Sequence, residues 1–484
     1  YDYDGLGRNL RGGVSADTVY WGTNYTHNFT LRTYNWHNRL ASEAQSIGYA
    51  YRYQAYTYDD AGNNNVGDLL RSYWPYASTQ GDYVDTPTHD SLGRPAAIRN
   101  NVSGTPAELA AYTYVGNRFG TKLYNGAASS QYRIKQLYCD ASTNNFDAWG
   151  RLSRVDVTRT EATPVALADL RYKYDLAGNP TWRYDAVMNG QGWSQKYSHD
   201  TLDRLVEAEQ GKVNTWDTDL TWDTSQGAPA VKAWDWNVGQ DRHLDKLGNW
   251  LNFSDNGTVD VRTVGVSNKI TARTVGGTSY DPTFDMAGNM TADGRGRTFK
   301  YDYRNRLALL KRSDGTLQAR YVYDAENRLV RKQTFDTDGS TELSDTWLVW
   351  DGWKLAEELN HNTGATLRRY VYGPGGLTDP VAMIDCTGQS PATYFYLLDH
   401  LGSVIALADT QGAVVERYLY DAYGRLTITD PSGQTDRTSS GSICGNRLTY
   451  TGHLWDAEAQ LYYCRNRWYS PELGRFTSRD PARY

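Results

Sequence analysis

Polar and apolar residues alternate through much of this chain, and the alternating runs end in the same way. Leu170-Arg171-Tyr172-Lys173-Tyr174, Arg320-Tyr321-Val322-Tyr323 and Arg417-Tyr418-Leu419-Tyr420 each place an aromatic residue immediately before an aspartate. Period-two alternation predicts half-buried β-strands. No stretch sustains helical spacing, and Pro106-Ala107-Glu108-Leu109-Ala110 reads as a turn or the start of a strand. The predicted fold class is all-β.

The residues after each run form a recurring phrase: aromatic, Asp, two variable positions, Gly or Asn, then Arg or Asn, often followed by an aliphatic. It reads Tyr3-Asp4-Gly5-Leu6-Gly7-Arg8 near the start. It returns at Tyr174-Asp175-Leu176-Ala177-Gly178-Asn179, at Tyr301-Asp302 through Leu307, at Tyr323-Asp324 through Leu329 and at Tyr420-Asp421 through Leu426. Further copies begin at Asp59, Asp90, Asp147, Asp200 and Asp285. Steps between neighbouring aspartates include 25 residues (Asp175 to Asp200), 22 (Asp302 to Asp324) and 17 (Asp285 to Asp302). Longer steps, such as Asp90 to Asp147, indicate degenerate copies or insertions.

A period of two strands and two turns means stacked copies of one supersecondary unit. Asp opens the turn by accepting from backbone N–H groups two or three residues on. The Gly or Asn takes positive φ, and Arg-Leu restarts the next strand. Asp314-Gly315 and Asp338-Gly339 close the opposite ends of hairpins. Single hairpins are marginal in water, whereas a stacked series forms a continuous sheet. An aspartate that recurs in nearly every copy is a turn-former before it is a catalytic group.

Composition sharpens this picture: 39 Tyr and 16 Trp accompany 45 Gly, which favours strands and tight turns. The net charge is −6, with Lys and Arg scattered singly. No basic stripe is visible, so nucleic acid is excluded as an expected partner. No run of 18 apolar residues occurs, so no helical membrane span is expected. Cys139, Cys386, Cys444 and Cys464 form no C-x-x-C pair, and neither a cofactor nor a metal is called for. Cys444 and Cys464 either pair or remain free and buried. No signal peptide is visible, and residue 1 falls inside a repeat phrase, so the chain reads as part of a longer protein. Asn24-Tyr25-Thr26 and Asn28-Phe29-Thr30 match the glycosylation pattern but read as ordinary strand and turn residues.

From about residue 394 the phrases become longer and more particular. Tyr394 through Val404 contains Leu398-Asp399-His400-Leu401-Gly402-Ser403. Tyr450-Thr451-Gly452-His453-Leu454-Trp455-Asp456 and Leu461 through Tyr469 follow. The series closes with Gly474-Arg475-Phe476-Thr477-Ser478-Arg479-Asp480-Pro481. With these phrases, the chain resembles the Rhs/YD-repeat proteins, and residues 394–484 resemble the Rhs-associated core domain that follows the repeats of 1–393.

The resemblance implies a β-ribbon that spirals into a hollow shell around a C-terminal polypeptide, commonly a toxin, and is closed by the core domain. It also implies aspartyl autoproteolysis just after the core in many members. Arg467 corresponds to an Arg of that site and Asp480 to its first Asp. The second Asp has no counterpart in residues 1–484, so this chain carries half of the implied dyad. Ser470 precedes Pro471 where many relatives have Asp, a change read as structural. Asp399, His400 and Ser403 are too close in sequence to suggest a catalytic triad and read as a turn.

The expected role is a structural container for an effector, in a bacterial protein that is secreted or lies at the cell surface. Its expected partners are its own cargo polypeptide, further repeat segments, or a copy or partner that completes the shell. The competing reading is an extracellular adhesion or fibre-forming protein without cargo.

Overall fold

The computed structural model describes residues 83–102, 105–125, 132–140, 142–217, 219–236 and 244–481, together with the backbone of six strands between residues 2 and 73. The phrase copies at Asp4 and Asp59 and both Asn-x-Thr runs lie outside the described side chains. The described residues form strands and turns, with three single-turn 3-10 segments and no α-helix.

The strands make two long antiparallel meanders in which sequence neighbours are sheet neighbours. The first has 21 strands, from Asp2–Tyr3 to Thr278–Ser279, and the second has 14, from Thr283–Phe284 to Leu426–Thr429. One hairpin, Val213–Thr215 with Asp219–Trp222, projects as an insertion between Leu205–Gly211 and Lys232–Asp235. The second meander runs without a break through residue 394, where the character of the sequence changes. A separate four-stranded sheet then spans Leu454–Asp456, Leu461–Cys464, Arg467–Ser470 and Arg475–Phe476.

Each phrase among the described residues forms the same five-residue turn. At Asp324, the backbone N–H donates to the Arg328 carbonyl at 3.0 Å, and Oδ1 accepts from the N–H groups of Glu326 and Arg328, both at 2.9 Å. Asn327 between them sits at φ +67°, the left-handed region that Gly occupies in other copies, as Gly178 does at +99°. The residue at the fifth position belongs to the turn rather than to the next strand. Arg328 Nε donates to Asp324 Oδ2 at 2.7 Å, as Arg306 does to Asp302 and Arg204 to Asp200, at 2.6 and 2.7 Å.

These fifth residues also tie each turn to the next. Arg151 Nη1 reaches the Asp175 carbonyl at 2.9 Å, and Arg204 Nη1 reaches that of Asp245 at 2.8 Å. Asn249 donates to Asn268, Lys269 to the Asp285 carbonyl, Asn289 to Asn305, and Arg306 to the Asp324 carbonyl, at 2.6–2.9 Å. With two strands per repeat, successive turns are about 10 Å apart, within reach of a long polar side chain. The phrase aromatic supplies a second link. Tyr174, Tyr323 and Tyr420 hydroxyls donate to the carbonyls of Leu152, Leu307 and Val404, each the first residue after the preceding turn, at 2.7–2.8 Å. Trp350 Nε1 makes the same bond to Leu329 at 2.7 Å. Phe could fill the space but could not donate.

The ribbon curls until distant strands meet. One buried cluster joins Leu109, Tyr124, Ile134 and Leu170 to Val371, Ala382, Phe395 and Ala406. Tyr124 Oη–H donates to the Tyr396 carbonyl at 2.6 Å, and buried Lys122 pairs with Asp379 at 2.5 Å. The turn tip at Tyr423 seats among Trp236, Trp250 and Phe253, with centroid separations of 5.0 Å to Trp236 and 4.5 Å to Trp250. Earlier tips, including Trp149, Leu176, Leu247 and Met286, face solvent. All four cysteines are free. Burial pushes the Cys444 and Cys464 thiols up to about 12, so neither is a ready nucleophile.

The turns and the seam set an acid limit in two stages. Burial holds His400 and His453 below the ordinary 6.5; Asp399 opposes and Arg183 reinforces this at His400, while the Tyr450 carbonyl opposes and Arg465 reinforces it at His453. The unfolded chain therefore takes up protons first, and stability falls as pH drops below 6.5. Side-chain bonds from Arg94 and Asn179 hold Asp90 and Asp175 below 3.8, and the Ser142 backbone N–H leads in holding Asp140 at about 2. Their contribution is complete above 3.8 and is lost as pH falls toward those folded values. Buried Asp185 and Asp421, whose values are raised, act in the opposite sense. Urea midpoints across pH are expected to be level from 6.5 to about 8, below the ordinary thiol range, to decline gently below 6.5 and to fall steeply below 3.8. His400→Gln is expected to reduce the first decline only.

Candidate functional site

The four-stranded sheet packs against the wall through named polar contacts. Tyr463 Oη accepts from the Leu329 N–H and donates to the Asn327 carbonyl, both at 2.9 Å. Trp468 Nε1 donates to Tyr323 Oη at 2.9 Å, and Arg262 Nη1 donates to the Leu473 carbonyl at 2.9 Å. Arg467 starts the third strand of this sheet, directly after a tight turn with Arg465 at φ +61°. Beyond Phe476 the chain turns back. Thr477 N–H donates to the Trp468 carbonyl and the Thr477 carbonyl accepts from Met290 N–H, both at 2.8 Å.

That return brings the two sequence-predicted site residues together. Arg467 Nη2 lies 3.0 Å from Asp480 Oδ2, and the guanidinium carbon sits 3.6 Å from the centroid of the Phe476 ring. Both side chains keep some exposure, 25% and 42%, in a cleft of about 1090 Å³. One side of the cleft is the row of wall turns at Asn249, Asn268, Asn289, Asn305 and Asn327. The other is the segment from Arg467 to Pro481. Two glycines permit this approach. A Cβ on Gly288 (φ +93°) would meet Arg479 Nε at 2.6 Å, and one on Gly474 (φ +65°) would meet the Trp250 ring at 2.2 Å.

Among the described residues lining the cleft, Asp480 is the only carboxylate. Cations arrive from both sides: Arg262, Lys269, Arg304 and Arg306 from the wall, and Arg467, Arg475 and Arg479 from the C-terminal segment. Sequence reasoning missed this convergence. The basic residues are scattered singly over more than two hundred positions, and only folding gathers them. No group of His, Cys, Asp and Glu able to hold a metal occurs among the described residues.

Asp399, His400 and Ser403 do not form a triad. Asp399 Oδ1 accepts from the N–H groups of Leu401 and Ser403 at 2.9 and 2.8 Å, as in any phrase turn. The His400 ring packs on Tyr172 at 4.1 Å with Nδ1 unbonded, and Ser403 is fully buried under Thr451.

Comparison with known proteins agrees with the repeat architecture. The Teneurin YD-shell family model matches residues 141–484. The tRNA nuclease WapA of Bacillus subtilis is 29% identical over 199 residues, which are 41% of this chain and 8% of that protein. The double-stranded DNA deaminase toxin A of Burkholderia cenocepacia is 27% identical over 220 residues, 42% of this chain and 15% of that protein. The crystal structure of TcdB2-TccC3 superposes with a TM-score of 0.59 at 16% identity, covering 94% of this chain and 26% of that one, a likeness of fold. The chain thus spans a small part of the length of the proteins it matches. No helix among the described residues is long and apolar enough to cross a membrane, which leaves strand-built spans unaddressed.

Proposed function

Because the chain belongs to the Teneurin YD-shell family, we propose that its β-shell encloses a polypeptide joined to its C-terminal side, a toxin or other effector, in a protein that acts outside the cell or at its surface. The observation that carries this reading is the ribbon itself. It curls until residues 371–408 pack on residues 109–170, and the C-terminal sheet is locked onto it. Relatives named for a tRNA nuclease and a DNA deaminase toxin support a cargo that needs confinement.

We further propose that Asp480 takes part in cutting the chain beyond the C-terminal sheet. Peptide hydrolysis by carboxyl groups needs two of them, one ionised to draw a proton from the attacking water and one protonated to donate to the leaving amide nitrogen. Asp480 supplies one, and Arg467 fixes its position. The second carboxyl would come from outside the described lining.

Intact mass of the natural full-length protein under denaturing conditions tests the reading. Two species are expected, split at a point beyond Asp480, and Asp480→Asn is expected to give one full-length mass. A single mass for the natural protein would remove processing from the account. Undiminished cutting in Asp480→Asn would remove Asp480 from it.

A further inference from the structure

We propose that the cleft between the wall turns and the C-terminal sheet is a binding groove for an extended acidic polypeptide. The proposal gives a substrate class to the site read above as the place of processing, and it rests on that reading for its biological role.

The argument begins with charge. Four of the seven cleft cations are held by direct partners: Arg262 by Asp260 at 2.8 Å, Arg306 by Asp302 at 2.6 Å, Arg467 by Asp480 at 3.0 Å, and Arg304 by the Ala325 carbonyl at 3.0 Å. Lys269, Arg475 and Arg479 form no close ion pair among the described residues, although the Asp245 carboxylate lies near enough to act on Arg475. Lys269 and Arg475 donate instead to the carbonyls of Asp285 and Asn268, at 2.8 and 2.6 Å. Arg479 makes no hydrogen bond to any described residue and lies over Gly288. Three cations without a direct carboxylate contact, facing one recess, raise its potential and favour entry of an anion. Burial, then the like charge of Arg262, holds the Arg475 guanidinium below its ordinary value, with Asp245 opposing.

A second observation narrows the ligand. Asn289 lines the cleft and is 1% exposed. Its Nδ2 is committed to Asp285 and Asn305, both at 2.8 Å, which fixes the orientation of the amide. Its Oδ1 has no hydrogen-bond partner. A buried acceptor without a donor is costly. A sulfate or a fully ionised phosphate offers this oxygen nothing, because neither carries a hydrogen to donate. A peptide with acidic side chains brings carboxylates for the cations and backbone N–H groups for Asn289. It is also the ligand class the fold already places there, since the chain segment Asp480-Pro481 forms part of the cleft lining.

Fluorescence anisotropy with three labelled probes tests this on the Asp480→Asn protein, whose carboxyl cannot take part in cutting. The probes are an alternating Glu-Gly peptide, its Gln-Gly counterpart and single-stranded oligothymidylate. The Glu-Gly peptide is expected to bind at least about tenfold tighter than Gln-Gly, with affinity falling as salt rises. N-methylation of its glycine amides is expected to weaken it. Arg475→Glu/Arg479→Glu is expected to abolish the preference for Glu-Gly. Equal binding of Glu-Gly and Gln-Gly by the unreversed protein would overturn the proposal without reference to any further variant. Oligothymidylate binding tighter than either peptide would also overturn it, in favour of a nucleic-acid site. Because the readout is binding, acidic-peptide preference in a protein that never cuts itself would refute processing alone, and cutting without that preference would refute the groove alone.

Discussion

Replacing Asp324 with Ala is expected to destabilise the protein by about 3–5 kcal/mol, the cost of stripping the partner from a buried charge. Arg328 is fully buried and Asp324 is 3% exposed. The carboxylate satisfies Arg328 Nε at 2.7 Å and two backbone N–H groups at 2.9 Å, and none of these has water as a substitute. Without it the guanidinium loses its buried counter-ion, and the partners that remain include the Gly352 carbonyl at 3.0 Å and Glu326 at 3.6 Å. The same turn holds the C-terminal sheet through Tyr463, so the damage is not confined to one hairpin. Asp147→Ala removes the chemically identical group where Asp147 and Arg151 are 23% and 28% exposed, and it is expected to cost much less. Urea unfolding followed by circular dichroism measures both. Equal losses would mean that burial does not set the strength of these turns.

Asp456→Ala is expected to cost a similar amount, about 3–5 kcal/mol, and to loosen the C-terminal sheet before the wall. Asp456 is 2% exposed, forms an ion pair with Lys332 Nζ at 2.7 Å, and accepts from Tyr321 Oη–H at 3.0 Å and Ala459 N–H at 2.9 Å, with Arg447 at 3.9 Å. Burial alone would raise the pKa of this carboxyl, but Lys332 and Arg447 overcome that and hold it below the ordinary 3.8. Removing it leaves Lys332 with Glu458, a partner 31% exposed. Hydrogen exchange is expected to show early opening across residues 450–476 while residues 307–323 stay protected. A Lys332→Met/Asp456→Leu double variant, which removes both charges, is expected to be more stable than either charge-removing single variant. If the double variant loses the sum of the two, the pair is not the coupling that holds the sheet.

How much of this was legible in the sequence follows the range of each interaction. The phrase turn is local. Asp175, Gly178 and Asn179 lie within five positions, and every bond that shapes the turn falls among them, so reading Asp as a turn-former was sound. The role of the fifth residue was visible in its restricted chemistry but was assigned to the following strand. The copy at Asp245 escaped notice because Leu244 replaces the aromatic. The turn at Gly265–Lys269 escaped because Gly stands where Asp normally does. The links between turns depend on stacking about 10 Å apart, which no single phrase encodes. The change of phrase style near residue 394 falls inside a continuous sheet, because hydrogen bonding there follows strand alternation, which is the same on both sides. Arg467 and Asp480 were placed by resemblance, and the fold sets them 3.0 Å apart. Lys269 and Arg479, separated by more than two hundred residues, line one cleft only because the ribbon curls.

The central claim is confinement of a polypeptide by this wall, and limited proteolysis of the natural full-length protein, read by mass spectrometry, tests it most directly. The account predicts that the segment beyond the C-terminal sheet resists protease under native conditions at neutral pH, and that it is digested at once when acid below the second stability limit or Asp324→Ala opens the wall. Rapid digestion of that segment while the wall remains intact would contradict the account, because a polypeptide reached by protease through an unbroken shell is not inside it.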